Sequence, residues 1–414
     1  MNTVKPRILV LGGGFGGLES AFYLRMRLGQ SAAITLISDR DYFLFKPNTI
    51  YIPFGLDPDK LKIDLHKPTA RKGIRFLQAH VHEIDPVTQT VSTSAGSERY
   101  DYLVVATGAT MRPAEIPGME DHAQSIWTPE SMLQLRGALE RVRETAPARA
   151  QKIAFVVPPN NKCAGPLYEM VFMVDTWLRR QGIRERVELT WATYEHSYIQ
   201  AFGPRLHEVA REEFEKRQIR HHTEYEIEKI EQGGMHFRNG ESLSHDVLIT
   251  FPPYIAALPF PSLPGDDRGF IAADLASRQV KGFPNIYVAG DAGDFPIKQA
   301  FLAFLQSDAA AEHLASTVKG TLPEFGFEPT SMCVMEQFDK ATFAQVPLKV
   351  NGGVSVMTDS ALYKTGTSSL WRLGKQLLGA YLPWRFGNGE PFHAGLPWKG
   401  MELGLKVMSG VLAS

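Results

Sequence analysis

Cys163 occupies a loop where the surrounding pattern predicts a bound dinucleotide. The loop follows an apolar run at 152–157, typical of a buried strand, and precedes a helical stretch at 167–180. A strand, a loop and a helix in this order often bind a dinucleotide, whose pyrophosphate needs glycines for close approach. This loop offers a thiol instead, and the chain has one other, Cys333. Thiols are candidates for redox chemistry, although free cysteines are more often small buried residues.

The N-terminus carries a complete nucleotide-binding fingerprint. An apolar run at 8–11 is followed by a glycine-rich segment and then by a helical stretch at 18–27. Glycines spaced G-x-G-x-x-G allow a tight turn, and the helix N-terminus faces a pyrophosphate with its partial positive charge. A second strand at 34–37 ends in an acid that can accept hydrogen bonds from ribose hydroxyls. The residues predicted to bind are Gly12, Gly14, Phe15, Gly17, Ser38 and Asp39.

Two later strands end in further binding signals. The apolar runs at 102–105 and 285–288 each lead into a glycine-containing turn, and the second turn contains Asp291. Ligands of open α/β sheets bind at the carboxyl ends of the strands. We therefore expect Asp291 to accept a hydrogen bond from a ligand hydroxyl. The residues predicted at these two strand ends are Ala106, Thr107, Gly108, Gly290 and Asp291.

Composition limits the classes of function that the chain can have. Its 414 residues are enough for two or three domains, and hydrophobic residues make up 44% of them. A net charge of −1 without long basic runs argues against a nucleic-acid partner. Two cysteines provide no metal-finger spacing, so no metal site is predicted. We recognise no secretory signal and no apolar run of the ~18–20 residues that span a bilayer, so membrane contact is expected from one side.

Taken together and in this order, the three nucleotide motifs resemble the flavoproteins that have two dinucleotide-binding domains. The resemblance implies FAD as the cofactor, with the adenine-contacting segment near Val81. It also implies an α/β fold with two Rossmann-like domains, the first of them split. The expected units are an FAD-binding domain at 1–115 and 275–330, a second Rossmann-like domain at 116–274, and a C-terminal quinone and membrane region at 331–414.

Two local segments are similar to those of one family in this superfamily, the sulfide:quinone oxidoreductases. The segment 41–47, which includes Lys46 and Pro47, resembles the loop that reaches the flavin in quinone-reducing members. The segment 162–169 resembles the one that carries a redox cysteine in this family, here Cys163.

This resemblance implies a cysteine pair as the redox centre. Cys163 and Cys333 would hold the sulfur of oxidised sulfide as a persulfide or polysulfide, while FAD passes the electrons to a membrane quinone. Lys298 matches the family lysine near flavin and quinone. Because 111–140 contains no cysteine that could attach to the flavin, non-covalent FAD is expected. Such chemistry needs a thiolate, and Lys162 with the following helix N-terminus is expected to lower the pKa of Cys163.

Four further residues are candidates for proton transfer or quinone contact, most with a structural alternative. Glu169 either relays protons or is a solvated helix glutamate. Phe301 and Phe304, on a helix predicted at 297–314, either flank the quinone ring or pack in the core. Phe392 lies in a Gly/Pro-rich connection that is expected to border the quinone entrance.

Two amphipathic segments predict C-terminal helices at a membrane surface. Such helices lie on a bilayer or pack on their own protein, and a lipid-borne quinone favours the bilayer here. The expected location is the inner membrane of a prokaryote, and the chain is compatible with a homo-oligomer. After Pro397 the apolar stripe is Trp398, Met401, Leu405, Met408 and Leu412, widened by Leu403, Val407 and Val411, opposite a polar strip of Lys399, Glu402, Lys406 and Ser409.

Three other functions stay open on the sequence alone. A type II NADH:quinone oxidoreductase shares the fold, FAD and quinone, but it needs a dinucleotide loop in the second domain. A flavocytochrome-type sulfide dehydrogenase is exported and soluble, which the missing leader and the amphipathic C-terminus argue against. A flavin-binding scaffold or sensor would hold FAD that no donor reduces.

Overall fold

The computed structural model describes residues 5–351, 354–357 and 362–413. The remaining positions of the predicted domains, 1–4, 352–353, 358–361 and 414, lie outside the described residues.

The helices are α1 (Phe15–Leu28), α2 (His66–Arg71), α3 (Met119–His122), α4 (Pro129–Thr145), α5 (Gly165–Arg180), α6 (Pro204–Lys216), α7 (Ala300–Lys319), α8 (Ser369–Gly387) and α9 (Gly395–Leu412). The first strands are β1 (Arg7–Leu11), β2 (Ala33–Ser38), β3 (Tyr42–Leu44), β4 (Lys62–Asp64), β5 (Arg75–Gln78), β6 (Val81–Asp85), β7 (Thr90–Thr93), β8 (Gly96–Arg99), β9 (Tyr102–Val105), β10 (Ala109–Met111), β11 (Gln124–Ser125) and β12 (Gln151–Val157). They are followed by β13 (Val187–Thr193), β14 (Arg220–His222), β15 (Ile227–Glu231), β16 (Gly234–Phe237), β17 (Ser242–Ser244), β18 (Val247–Thr250), β19 (Tyr254–Ala256), β20 (Ile286–Val288), β21 (Thr330–Glu336), β22 (Ala341–Asn351), β23 (Val354–Met357) and β24 (Lys364–Ser368).

A five-stranded parallel sheet carries the N-terminal fingerprint. Its order is β20-β9-β1-β2-β5, so a strand from residues 286–288 completes a sheet that begins at residue 7. Strands β1, β2, β9 and β20 are short, mostly apolar runs that are buried over nearly their whole length, as parallel strands covered by helices require, whereas the edge strand β5 is only half-buried. Because all five run in the same direction, the ends of β1, β2, β9 and β20 meet at one edge and present the predicted binding residues together.

A second parallel sheet carries the Cys163 loop. Its order is β11-β18-β12-β13-β14, and β12 leads through that loop into α5. Antiparallel three-stranded sheets, β6-β7-β8 and β15-β16-β17, accompany the two parallel sheets. The predicted α/β fold with two Rossmann-like sheets is confirmed. The division into domains at 115, 274 and 330 stays a prediction.

The C-terminal region begins with an antiparallel sheet that the sequence pattern did not predict. Strand β22 pairs with β21, β23 and β24, and the two helices α8 and α9 follow. Cys333 is the fourth residue of β21, so its position is fixed by a strand. Within the described residues, no helix combines the length and hydropathy that crossing a bilayer demands.

Helix α9 presents a different apolar face to solvent than the sequence pattern predicted. Leu405, Met408 and Leu412 pack beside Trp371 of α8, and Trp398 packs beside Phe392, so most of the predicted lipid stripe covers the protein. Ser409, assigned to the polar strip, is 3% exposed. The large apolar side chains of α9 that stay exposed are Leu396, Leu403, Val407 and Val411.

Candidate active site

One cavity of about 640 Å³ collects almost all of the predicted site residues. It runs from the edge of the first sheet, past the loop before α5, to β21 and the start of α7. Gly17 is the exception, because it lies inside the first turn of α1 rather than on the cavity wall. The predicted residues that line the cavity are Gly12, Gly14, Phe15, Ser38, Asp39, Lys46, Pro47, Val81, Ala106, Thr107, Gly108, Cys163, Glu169, Gly290, Asp291, Lys298, Phe301, Phe304, Cys333 and Phe392.

The glycine loop is packed so tightly that only part of it faces the cavity. A β-carbon built on Gly17 would lie 1.8 Å from the carbonyl oxygen of Gly12, and one on Gly12 would lie 2.3 Å from that of Ala106. Gly12 also has φ +110°, a backbone conformation that L side chains rarely adopt. Gly14, by contrast, is exposed and has open space around its α-carbon. The loop therefore leaves room for a group at Gly14, directly in front of α1.

Two polar groups at strand ends line the same cavity and have no hydrogen-bond partner. The Oδ1 atom of Asp291 and the Oγ1 atom of Thr107 are buried and have no hydrogen-bond partner. At the far end, Asp39 keeps half of its side chain exposed and lies 3.7 Å from the Arg40 guanidinium. Because buried polar groups normally have partners, the geometry fits a ligand with a pyrophosphate and several hydroxyls, as FAD has.

The fold brings the two cysteines to the same wall of the cavity. Cys163 lies in the loop before α5, and Cys333 lies on β21. A β-carbon built on Gly165 would be 3.9 Å from the sulfur of Cys333, so Cys333 reaches the first turn of α5, two residues beyond Cys163. The two cysteines are not joined by a disulfide in this structure, and both pack against one apolar core. Two cysteines that are far apart in the sequence thus line the same cavity.

Burial dominates the ionisation of both thiols. Desolvation raises the pKa of Cys163, and desolvation with the Glu169 carboxylate raises the pKa of Cys333 to about 12. The N–H of Gly165, at the start of α5, lowers the pKa of Cys163 by less than burial raises it. The predicted net lowering of this pKa is therefore wrong for the described structure. The cavity stabilises neutral sulfur, either as thiols or as a disulfide.

Two lysines act on the Asp291 carboxyl. The Lys298 ammonium is buried 3.7 Å from the ring centre of Phe270, and burial lowers its pKa to about 7. The Lys46 ammonium lies 3.4 Å from the ring centre of Trp127, and burial lowers its pKa to about 8. Burial raises the pKa of Asp291, and both ammonium groups oppose that rise. Lys298 lies in the loop before α7, since that helix begins at residue 300 rather than at the predicted 297.

Glu169 and Lys375 form a buried ion pair on the wall that carries Cys333. Their side chains are in direct contact, with 9% and 11% of their surfaces exposed. Glu169 also accepts a hydrogen bond from the N–H of Glu336 at 2.8 Å. Burial raises the pKa of Glu169, and the ammonium of Lys375 opposes the rise. The alternative that Glu169 is a solvated helix glutamate is therefore wrong.

The ion pair belongs to a network that ties α8 to the cavity. The Glu336 carboxylate accepts hydrogen bonds from the Tyr51 hydroxyl at 2.7 Å and from Arg372 Nε at 2.9 Å. Glu336 has no exposed surface, so the network is buried at its centre. Lys375 and Arg372 lie on one helical turn of α8, which fixes that helix against β21 and α5.

An aromatic wall closes the end of the cavity next to α7. Phe304 and Phe392 are stacked, with ring centres 4.6 Å apart and an angle of 11° between the planes. Each is 3% exposed, while Phe301 is half-buried. All three also line the cavity, so the predicted quinone contact and the alternative of core packing both describe them.

Residues 6–156 match the family model described as pyridine nucleotide-disulphide oxidoreductase. The sulfide-quinone reductase of Aquifex aeolicus is 33% identical over 202 residues, which is 48% of this chain and 45% of that protein. Demethylphylloquinone reductase NdbB of Synechocystis is 27% identical over 88% of this chain and 92% of its own. The mouse mitochondrial sulfide:quinone oxidoreductase is 23% identical over 79% of this chain and 74% of its own.

A solved structure matches the fold of this chain over almost its whole length. The X-ray structure of the sulfide:quinone oxidoreductase from Aquifex aeolicus has a TM-score of 0.85 and covers 97% of this chain, with 22% identity. The sequence match to the Aquifex reductase spans less than half of that protein. The predicted relationship to sulfide:quinone oxidoreductases, with quinone-reducing NAD(P)H enzymes as further relatives, is confirmed.

In the second Rossmann-like sheet, the loop after β12 and the acid after β13 make hydrogen bonds within the protein. In the described loop before α5, the side chain of Asn161 accepts a hydrogen bond from the N–H of Cys163 at 2.9 Å and fills the turn. The acid that follows β13, Glu195, is buried and bonded to the Thr193 hydroxyl at 3.0 Å and the Gln200 N–H at 3.1 Å. Both carboxylate oxygens of Glu195 therefore have partners within the protein.

Sequence reasoning missed two residues that shape the site. Trp127 covers the Lys46 ammonium, and Lys375 neutralises Glu169. Neither stands in a motif, and Lys375 is 206 residues away from its partner. Only the fold could reveal these contacts.

Proposed function

We propose that this protein is an FAD-dependent sulfide:quinone oxidoreductase in which Cys163 and Cys333 form the redox pair. The observation that carries the proposal is that both thiols face one cavity together with the dinucleotide fingerprint. Relatives named for sulfide and quinone support it. The loop at Cys163 is not a dinucleotide-binding loop, which supports the proposal that sulfide reacts there instead.

The residues of the first sheet fit FAD, bound without a covalent link. The loop at Gly14 and the start of α1 would hold the pyrophosphate, Asp39 the ribose and Val81 the adenine side. Asp291 and Thr107 would pair with hydroxyls of the ribityl chain, which supplies the partners that they lack. Bound FAD would supply a two-electron acceptor that also reduces quinone.

The cysteine pair supplies the sulfur chemistry. A hydrosulfide ion attacks one sulfur of a Cys163–Cys333 disulfide, so that one S–S bond forms and one breaks. One cysteine then carries a persulfide, and the other leaves as a thiolate. The apolar surroundings disfavour this thiolate, because burial raises the pKa of both thiols. The thiolate would therefore not accumulate in the resting protein, and once formed it would be a reactive electron donor.

The wall between Cys333 and α8 would bind the quinone and supply protons to it. Reduction of a quinone takes up two protons, and the cavity places one exchangeable group there, the Glu169–Lys375 pair. Phe301, Phe304 and Phe392 offer flat apolar surfaces for the ring. Lys298, whose pKa burial lowers to about 7, can hold or release a proton near neutral pH close to Asp291.

A second candidate function is NAD(P)H:quinone oxidoreduction. The match to demethylphylloquinone reductase over 88% of the chain favours it. The filled turn at Asn161 and the internally bonded Glu195 argue against it. Steady-state rates of decylubiquinone reduction with sulfide and with NADH separate the two. We expect sulfide to support turnover and NADH to give a kcat/KM at least about 100-fold lower, and the reverse order would favour the second candidate.

Two glycine substitutions distinguish the part of the glycine loop that is needed for folding from the part proposed to bind the cofactor. Gly17→Ala places a β-carbon against the Gly12 carbonyl, so we expect the soluble folded protein to be lost. Gly14→Ala meets open space in the protein but fills the proposed pyrophosphate position, so the protein should fold without FAD. Circular dichroism and flavin content of the purified variants test both. Gly14→Ala with full flavin content would contradict the proposed position of the pyrophosphate.

We also propose that the exposed apolar faces of α8 and α9 bind the surface of a membrane. Leu370, Leu373, Leu377 and Trp384 of α8 are exposed. With the exposed side chains of α9, they give two neighbouring helices outward apolar faces, and Gly374 packs against Met408 between them. Quinones dissolve in lipid, and helices of this kind lie in the bilayer interface.

Acidic residues on α9 should remove this membrane binding. The double substitution Leu403→Glu and Val407→Glu is expected to weaken binding to phospholipid vesicles at least about tenfold, since burial of each apolar side chain contributes about 1.5–3 kcal/mol. Both positions are more than half exposed, so folding should not suffer. Leu322→Glu, at an 89% exposed residue after α7, is the matched control. Equal flotation of the double variant and the control would contradict the proposal.

A further inference from the structure

A buried cluster of two acids and a histidine lies behind the aromatic wall. Glu19 of α1 has no exposed surface, Asp308 of α7 is 4% exposed, and His393 precedes α9. The Nδ1 atom of His393 lies 2.5 Å from Asp308 Oδ2. One potential metal-binding atom from each of the three residues lies within 4.8 Å of the others. The cluster does not line the cavity described above.

The two carboxylates face each other without a positive partner. Glu19 and Asp308 are within hydrogen-bond reach of one another, and Asp308 Oδ1 has no donor. Among the described residues, no lysine or arginine forms an ion pair with either carboxylate. The guanidinium of Arg385, buried nearby, donates instead to the carbonyls of Pro391 and Ala394. A pair of ionised carboxylates in such a place is strongly unfavourable, so either protons or a bound cation must offset their charge.

Aromatic rings and backbone N–H groups surround the cluster. The ring of His393 lies 4.7 Å from that of Phe392 and 4.5 Å from that of Trp398. The Glu19 oxygens accept hydrogen bonds from the N–H of Phe392 at 2.7 and 2.9 Å. Metal-ligating carboxylates are commonly oriented by such bonds, which leave a lone pair on each oxygen for a cation.

We propose that Glu19, Asp308 and His393 bind one divalent transition-metal cation, with Zn²⁺ as the best match. Two carboxylate oxygens and one imidazole nitrogen form a common donor set for Zn²⁺, and a charge of +2 neutralises the two acids. A cation at about 2.0–2.2 Å from each atom needs only small side-chain movements from the present spacing. The site would tie the segment before α9 to α1 and α7, and it does not depend on the proposed sulfide chemistry.

Protons are the alternative way to neutralise the cluster. Burial raises the pKa of Glu19 well above its usual range and the pKa of Asp308 to about 7, and it lowers the pKa of His393 to about 4. Metal ligands must be deprotonated, so protons and a cation compete for the same atoms of the cluster.

The test begins with the unmodified flavoprotein. After dialysis against EDTA, ZnCl₂ is titrated by calorimetry. We expect one Zn²⁺ per chain and a higher Tm of the loaded protein. X-ray absorption at the zinc edge should show nitrogen and oxygen neighbours. Sulfur neighbours would place the metal at Cys163 and Cys333 and overturn the proposal, as would the absence of binding.

Substitutions then assign the site. Asp308→Asn and His393→Ala should each weaken Zn²⁺ binding by at least about 100-fold, more than the 10–100-fold typical of changes around the ligands. Asp121→Asn, at an exposed aspartate, is the matched control and should bind like the native protein. Unchanged affinity in the cluster variants would overturn the proposal. If a variant fails to fold, the zinc-edge spectrum of the native protein still shows whether nitrogen and oxygen or sulfur atoms bind the metal.

Discussion

Cys163→Ser is expected to lower sulfide-dependent quinone reduction by about 10³-fold or more, the scale of losses when a nucleophile is removed. A serine hydroxyl forms no disulfide and holds no persulfide, so the variant has no place for the sulfur that sulfide delivers. FAD should stay bound, because the residues proposed to hold it lie on β1, β2, β9 and β20. Turnover and flavin content of the purified variant measure both parts of the prediction.

Two further variants and a thiol count make this prediction sharper. Cys333→Ser should lose activity to a similar degree, whereas Ala164→Ser adds a hydroxyl next to Cys163 and should keep most of it. The denatured native protein should show no reactive thiol as isolated and two after reduction, since the chain has two cysteines. Sulfide oxidation by Cys163→Ser at the native rate would rule out the cysteine-pair mechanism.

Lys375→Met is expected to destabilise the protein by about 3–5 kcal/mol, the cost of leaving a buried charge without its partner. The Glu169 carboxylate is 9% exposed and depends on Lys375 to offset its burial. Without the ammonium, the pKa of Glu169 should rise further. Denaturation by guanidinium, followed by circular dichroism, measures the loss.

An exposed ion pair provides the matched control for Lys375→Met. Lys406 and Glu402 of α9 lie 2.8 Å apart, with 70% and 42% of their side chains exposed. Lys406→Met should therefore change stability by less than about 1 kcal/mol. The double variant Glu169→Gln with Lys375→Met removes both buried charges and should recover part of the loss. A loss in Lys375→Met no larger than in Lys406→Met would contradict the account of the buried pair.

Local motifs in the sequence predicted the parts of the site that depend on neighbouring residues. The spacing of Gly12, Gly14 and Gly17 predicts a strand, a turn and a helix, because backbone approach is decided within a few residues. The same holds for Asp291 at the end of β20. The placement of Cys333 beside Cys163 was expected only from the family resemblance, and the β21 sheet that produces it was not predicted.

Features that depend on tertiary packing could not be predicted from sequence. Periodicity identifies α9 as amphipathic, but it does not say which apolar side chains meet the protein, and Leu405 faces inward while Leu403 faces outward. Charge type likewise does not reveal burial. Lys162 and the start of α5 suggested a lowered pKa for Cys163, whereas desolvation by distant parts of the chain raises it.

The measurement that tests the central claim most directly is an anaerobic titration of the purified flavoprotein, followed by flavin absorbance. We expect sulfide to bleach the flavin and added decylubiquinone to restore it, while an equal amount of NADH leaves the spectrum unchanged. Bleaching by NADH without bleaching by sulfide would contradict the account. Cys163 and Cys333 would then be structural residues, and the second Rossmann-like sheet would bind the nicotinamide donor.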